Sequence, residues 1–180
     1  MSNSPVTMPE AFVAQSRRLL TDSYLPRIEQ CVRGLSDEQL WWRANAQSNS
    51  IGNLILHLAG NIRQWIVSGV GGLADTRERQ REFDERGPLT APELLARITS
   101  AVDEADRVLA SVAPSMLLER RCIQSYDVTV LQAIYAVVEH FSMHTGQIIV
   151  LAKLWKGDLG FYELSNGVPH PTWGRGKEGD

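Results

Sequence analysis

The stretch 138-VEHFSMHTGQIIVLAKLW-155 sets His140 and His144 four residues apart, and its reading decides the fold. An α-helix turns about 100° per residue, so residues three and four apart share a face. On that wheel Gln132, Glu139, Ser142, Gly146, Lys153 and Lys156 cluster on one side, the expected solvent face. His140 and His144 point roughly opposite, with Ala133, Val137, Gln147 and Leu151, so the pair is expected to face the interior of a helical assembly. Two imidazoles at i and i+4 can reach one divalent ion. The plainer reading gives each a local hydrogen bond in the core. Spacing alone leaves both open.

Working outward, helical periodicity dominates and strand-like alternation is scarce. A first helix is expected over about 10–34, with Phe12, Leu19, Leu20, Ile28 and Val32 apolar and Pro26 kinking or splitting it. Ser36 and Gln39 fit a capping box for a short turn. A second long helix starts near Ser50 and stops at 69-GVGG-72. Thr90 and Glu93, with Pro92 in the first turn, open a third that runs to about 112. The helix of the opening stretch starts near 129 and ends near 156. Residues 157–180, rich in Gly and Pro, read as an irregular tail without strands. The expectation is a single all-α domain over 1–180, its core about 8–156. Four long helices would form an up-down-up-down bundle.

A formal net charge of −3 supplies no basic patch for phosphates, which disfavours nucleic acid. The run 76-TRERQREFDERG-87 alternates in sign and reads as a solvated loop or short helix. No apolar run is long enough for a membrane span, and the first residues lack a signal-peptide pattern. Cys31 and Cys122 have no CxxC spacing, and both are expected to pack structurally. A cytoplasmic protein is the resulting expectation.

In 50-SIGNLILHLAGNIRQW-65, Asn53, His57, Asn61 and Gln64 form an uncharged polar stripe apart from Ile51, Leu54, Leu58, Ile62 and Trp65. The stripe suits either a solvated face or a sheltered polar pocket, and periodicity does not choose. His170 is expected in an exposed loop. Trp41, Trp42, Trp65 and Trp155 are expected to pack rather than cage a cofactor.

Two segments, 40-LWWRANAQSNSIGNLILHLAGN-61 and 139-EHFSMHTGQI-148, resemble the DinB-like superfamily. The first carries its tryptophan-arginine turn and Ser-Ile-Gly helix start with a histidine. The second carries its paired-histidine helix with the following Gly-Gln. The likeness covers roughly the first five-sixths of the chain and is nearest the superfamily's uncharacterised-domain branch. Ala44 stands where a proline often follows the arginine, and the tail is unmatched.

The resemblance implies a four-helix bundle of DinB-like type that binds one divalent metal through His57, His140 and His144. Zinc, nickel and iron all suit imidazole. It further implies a metal-dependent thiol S-transferase, or a related enzyme using a low-molecular-weight thiol as cosubstrate against a small electrophile. Asn53, Asn61 and Gln147 are candidates to support a ligand or orient substrate, whereas Glu139 lies on the solvent side. Two other readings stand beside this one. One is a non-catalytic metal-binding or stress-responsive module, dimeric like many bundles. The other is a metal-dependent hydrolase, for which no general base stands out.

Overall fold

A computed structural model describes residues 6–87 and 89–173, so 174–180, the end of the expected irregular tail, lie outside the described residues. Helix α1 (Met8–Arg18) opens with a capping box between Thr7 and Glu10. It passes through a π-helical turn, Leu19–Tyr24, into α2 (Leu25–Val32). Where Pro26 is expected to kink or split the first helix, the regular α-helical pattern is interrupted by that π-helical turn. Proline cannot donate an N–H, and the turn before it widens while the helical run continues. Helix α3 (Asp37–Trp41) starts on the Ser36–Gln39 box. Helix α4 (Ile51–Ile62) continues as π-helical Arg63–Val70 and stops at Gly71 and Gly72, the latter at φ 77°. Then follow α5 (Arg79–Asp84), α6 (Ala91–Ala110), a 3-10 turn at Pro114–Leu118 and α7 (Val130–Lys156).

The chain is mostly helical, but the all-α expectation is corrected by two antiparallel hairpins. Strand β1 (Arg120–Ile123) pairs with β2 (Tyr126–Thr129), and β3 (Tyr162–Ser165) with β4 (Val168–Pro171). The first hairpin turns on Gln124 and Ser125, both at positive φ without a glycine, so the usual turn signature is missing from the sequence. The second turns on Asn166-Gly167, a favoured pair, but Pro169 and Pro171 argue against a strand. A two-stranded hairpin tolerates them because, among the described residues, no third strand pairs with either outer edge.

Helix α4 packs on α6 and α7, α2 packs on α7, and α1 on α6. Ile55, Leu58, Ile98, Leu109, Phe141 and Ile148 are fully buried where these helices meet. Each such side chain contributes about 1.5–3 kcal/mol by leaving water. Trp42 and Trp155 meet edge to face at 5.6 Å, the packing role expected of them. Lys156, assigned to the solvent face, instead donates to the carbonyls of Gln30 at 2.9 Å and Arg33 at 2.8 Å, at the end of α2. Cys31 is buried as expected, and burial pushes its thiol up to about 11. Cys122 does not pack; it is exposed on β1, and both thiols are free. Among the described residues, no helix is long and apolar enough to cross a membrane.

Candidate metal centre

Buried His57 projects from α4 toward α7, where His140 and His144 are half-buried. Helical spacing of four brings the latter two rings together, their centroids 4.3 Å apart, and His57 completes the set at 4.9 Å from His140 and 5.1 Å from His144. One nitrogen from each lies within 4.8 Å of the others. The polar stripe of α4 therefore turns inward, the sheltered alternative of the two the sequence left open.

The remaining ring nitrogens explain which atoms are free to bind. His57 Nδ1 lies 2.9 Å from Glu82 Oε2. An unprotonated nitrogen there would set two lone pairs against each other, so Nδ1–H donates and Nε2 is left as an acceptor. His144 Nδ1 donates to Gln147 Oε1 at 2.6 Å, which likewise frees its Nε2. His57 Nε2 faces His140 Nε2 at 2.9 Å. Such a pair is satisfied either by an Nε2–H of neutral His140 donating to His57 or by a metal ion between the two. Burial, then the neighbouring His144 and His57, lowers His140 to about 4, so it is neutral at pH 7. His144 is lowered too, again by burial, against the raising effect of Gln147. Neutral imidazoles with converging free nitrogens are what a borderline-soft divalent ion takes. The residues present fit a metal, and the three histidines are positioned to bind one.

Glu82 belongs to the run expected to be solvated, and that expectation is corrected. The short helix is there, as α5, but the Glu82 side chain is only 10% exposed and that of Arg77 only 5%. Arg77 grips both Glu82 oxygens, at 2.7 and 2.8 Å, and donates to Gln64 Oε1 at 2.9 Å. Burial alone would raise the Glu82 carboxyl. The bonds from Arg77 and His57 outweigh it and hold the group below its usual range. Sequence alternation conceals this brace because His57 lies 20 residues from Arg77 and 25 from Glu82. One indirect signal was present. A Cβ on Gly60 would come within 2.0 Å of Glu82 Oε1, so the carboxylate needs a glycine one turn beyond His57.

The segment carrying Glu82 is clamped from the other side. Asn53, a candidate to support a ligand or orient substrate, is fully buried. It closes the α4 capping box with Ser50 and donates to the carbonyls of Glu82 at 2.8 Å and Glu85 at 3.0 Å. Arg43 bridges Asn53 Oδ1 at 2.7 Å and the Phe83 carbonyl at 2.8 Å. Trp41 donates to the Leu89 carbonyl at 2.9 Å, its ring pressed where a Cβ on Gly52 would come within 2.9 Å. The Trp-Arg and Ser-Ile-Gly-Asn residues thus fasten residues 82–85 and Leu89 against α4.

Of the other candidates, Gln147 lies at the exposed rim and holds His144. Asn61 Oδ1 and Thr145 Oγ1 are buried without a hydrogen-bond partner. Glu139 is exposed, on the solvent side as expected, and His170 is exposed as expected but on β4 rather than in a loop. A groove of about 910 Å³ lies along Arg77 and Glu82, and one of about 750 Å³ lies beside Gln147; the three histidines line neither.

Residues 8–165 match the family model described as "Protein of unknown function (DUF1572)", a match that extends past α7 into β3. A DinB-like protein of Bacillus cereus has a similar fold, with TM-score 0.62 and 17% identity, over 81% of this chain and 91% of that one. The DinB-like protein YjoA of Bacillus subtilis gives 0.59 and 16%, over 89% and 99%. At such identities the likeness is one of fold. An NADH-quinone oxidoreductase polypeptide of Helicobacter hepaticus is 26% identical over 196 aligned residues, 93% of this chain but 46% of that protein. The chain thus spans less than half that relative's length. The family match covers most of the chain, and the chain belongs to the DUF1572 family, with a fold like that of the two DinB-like proteins.

Proposed function

We propose that this domain is a metal-dependent enzyme that joins or rearranges a small thiol and a small electrophile. The observation that carries the reading is the set of three converging imidazoles, two of them only half-buried. His57, His140 and His144 would hold a single divalent ion, with zinc, nickel and iron all compatible. A bound ion would supply Lewis acidity, which lowers the pKa of a thiol. The chain's own contribution is orientation. Glu82 fixes the tautomer and ring plane of His57, and Gln147 does the same for His144. The four long helical stretches, taken as an up-down-up-down bundle, would keep the site's spacing while its rim varies. No free carboxylate faces the histidines among the described residues, because Glu82 is engaged on both oxygens. That favours thiol chemistry over hydrolysis by a general base.

A second reading, a non-catalytic metal-binding dimer, draws on Met143, Val150 and Leu154. These lie exposed along α7 and could pack on a second copy.

Elemental analysis of protein free of any histidine tag tests the first step. A single divalent ion per chain, lost in folded His140→Ala and His144→Ala variants, is expected. Absence of metal after incubation with zinc, nickel and iron would sink the proposal. The loaded protein should then consume a physiological thiol in the presence of an electrophile. A site that holds metal but turns over no thiol across a broad panel would leave the binding module as the reading.

A further inference from the structure

Helix α5 does more than brace His57. Residues 79, 82 and 83 stand at i, i+3 and i+4 and share one side of this turn. Glu82 reaches His57 Nδ1. The Phe83 ring lies 4.8 Å from the His57 ring, and the guanidinium of Arg79 sits 4.8 Å over Phe83. Arg79, Phe83 and His57 thus form a stack that leads from solvent to the three-histidine cluster.

Every acid of this segment is otherwise engaged. Glu78 pairs with Arg81, Glu82 with Arg77 and His57, Asp84 accepts from Gln80, and Glu85 accepts from the Arg86 amide. Among the described residues, no acid pairs with Arg79. Stacking occupies the face of a guanidinium and leaves its N–H edge free, the edge that matches a carboxylate. Among the described residues, Glu82, the carboxylate bonded to the histidine cluster, is paired with Arg77, so Arg79 is left as an unpaired cation beside the cluster, and a divalent ion would add to its charge.

We propose that Arg79, steadied on Phe83, is the subsite for an oxyanion of the ligand that reaches the histidines, which makes the ligand class an acidic thiol or an acidic electrophile. This rests on the metal-dependent reading above and narrows its substrate. Neutral thiols would bind through sulfur alone, whereas carboxylate-bearing ones would bind at two points.

The test loads the full chain with cobalt(II), confirms uptake by elemental analysis and titrates it with a short series of ω-mercapto acids and the matching mercapto alcohols. The visible absorption of the ion reports binding without any turnover. The parent should bind at least one acid about tenfold more tightly than its alcohol, the worth of one charge-assisted hydrogen-bonded contact. Arg79→Gln should abolish that preference while leaving metal content and alcohol affinity unchanged, and Arg79→Lys should keep part of it. Equal binding of acids and alcohols by the loaded parent, or a preference that survives in Arg79→Gln, overturns the subsite. Failure to take up the ion, or uptake with no response to any thiol, overturns the underlying reading and this inference with it. The metal assay separates the two failures.

Discussion

The two walls of the histidine cluster are built on opposite plans. On the α7 wall, one uninterrupted helix sets His140 and His144 by spacing alone, and the support is a single exposed amide, Gln147. On the α4 wall, His57 is fixed by a buried carboxylate, which a buried arginine holds, on a short helix that Asn53, Arg43 and Trp41 fasten down. A helix supplies two ligands at little cost, because backbone hydrogen bonds already define the geometry. A third ligand from a different element must be aimed by side chains, each of which loses entropy and water when it is buried.

That contrast predicts where the molecule breaks. Glu82→Ala strikes the braced wall hardest. It leaves the buried Arg77 guanidinium uncompensated and should cost about 3–5 kcal/mol in urea unfolding. An unchanged urea midpoint would show that Arg77 finds another partner. Asn53→Ala removes the side-chain half of a capping box and two bonds to backbone carbonyls, and about 2–3 kcal/mol should be lost in the same measurement. Gly60→Ala drives a methyl into Glu82 Oε1 and should weaken metal binding about tenfold, as loss of an outer partner of a ligating histidine does. Competition with a chelating dye would read this, and an affinity equal to the parent's would mean that Glu82 does not aim His57. On the sparse wall, Gln147→Ala should lower affinity only about two- to threefold, because water can replace an exposed amide. A loss as large as that of Gly60→Ala would erase the distinction between the walls.

The smallest effect lies outside both walls and sets the floor for the comparison. The hydrogen bond from Arg17 holds the Asp106 carboxyl below its usual range. A depressed carboxyl stabilises the fold above its unfolded pKa of about 3.9 and loses that contribution as pH falls through the folded value. The pair is partly open to solvent, so Asp106→Asn should cost no more than a few tenths of a kcal/mol at pH 7. The difference from the parent should shrink in unfolding curves as pH falls from the unfolded carboxylate range through the lower folded value.

The same asymmetry governs what the sequence reveals. His140 and His144 are legible because their relation is local and periodic, and the four long helices for the same reason. The inward turn of His57 is not, since α4 carries apolar residues on most of its circumference and has no single solvent face to orient against. Arg77 and Glu82 look like any alternating surface run. Their burial depends on a fold-back onto α4 that charge patterning cannot express. Gly52 and Gly60 are its nearest trace, since each leaves room for a side chain from another segment. The hairpins escape a sequence reading for opposite reasons. One turn lacks the usual residues, and the other has them beside prolines that argue the other way.

One more contact reaches beyond the site. Lys156 ends α7 with its ammonium on the carbonyls that close α2, and Gln30 donates to the backbone of Leu159 and Gly160 just beyond. The orphan acceptors of the first long helix are therefore satisfied by a side chain more than 120 residues downstream. In topological language this is a clasp. It joins the first long helix to the last, so that the helices between are held as a closed circuit. A modification that removes the charge of that one amine would open the clasp without touching the core.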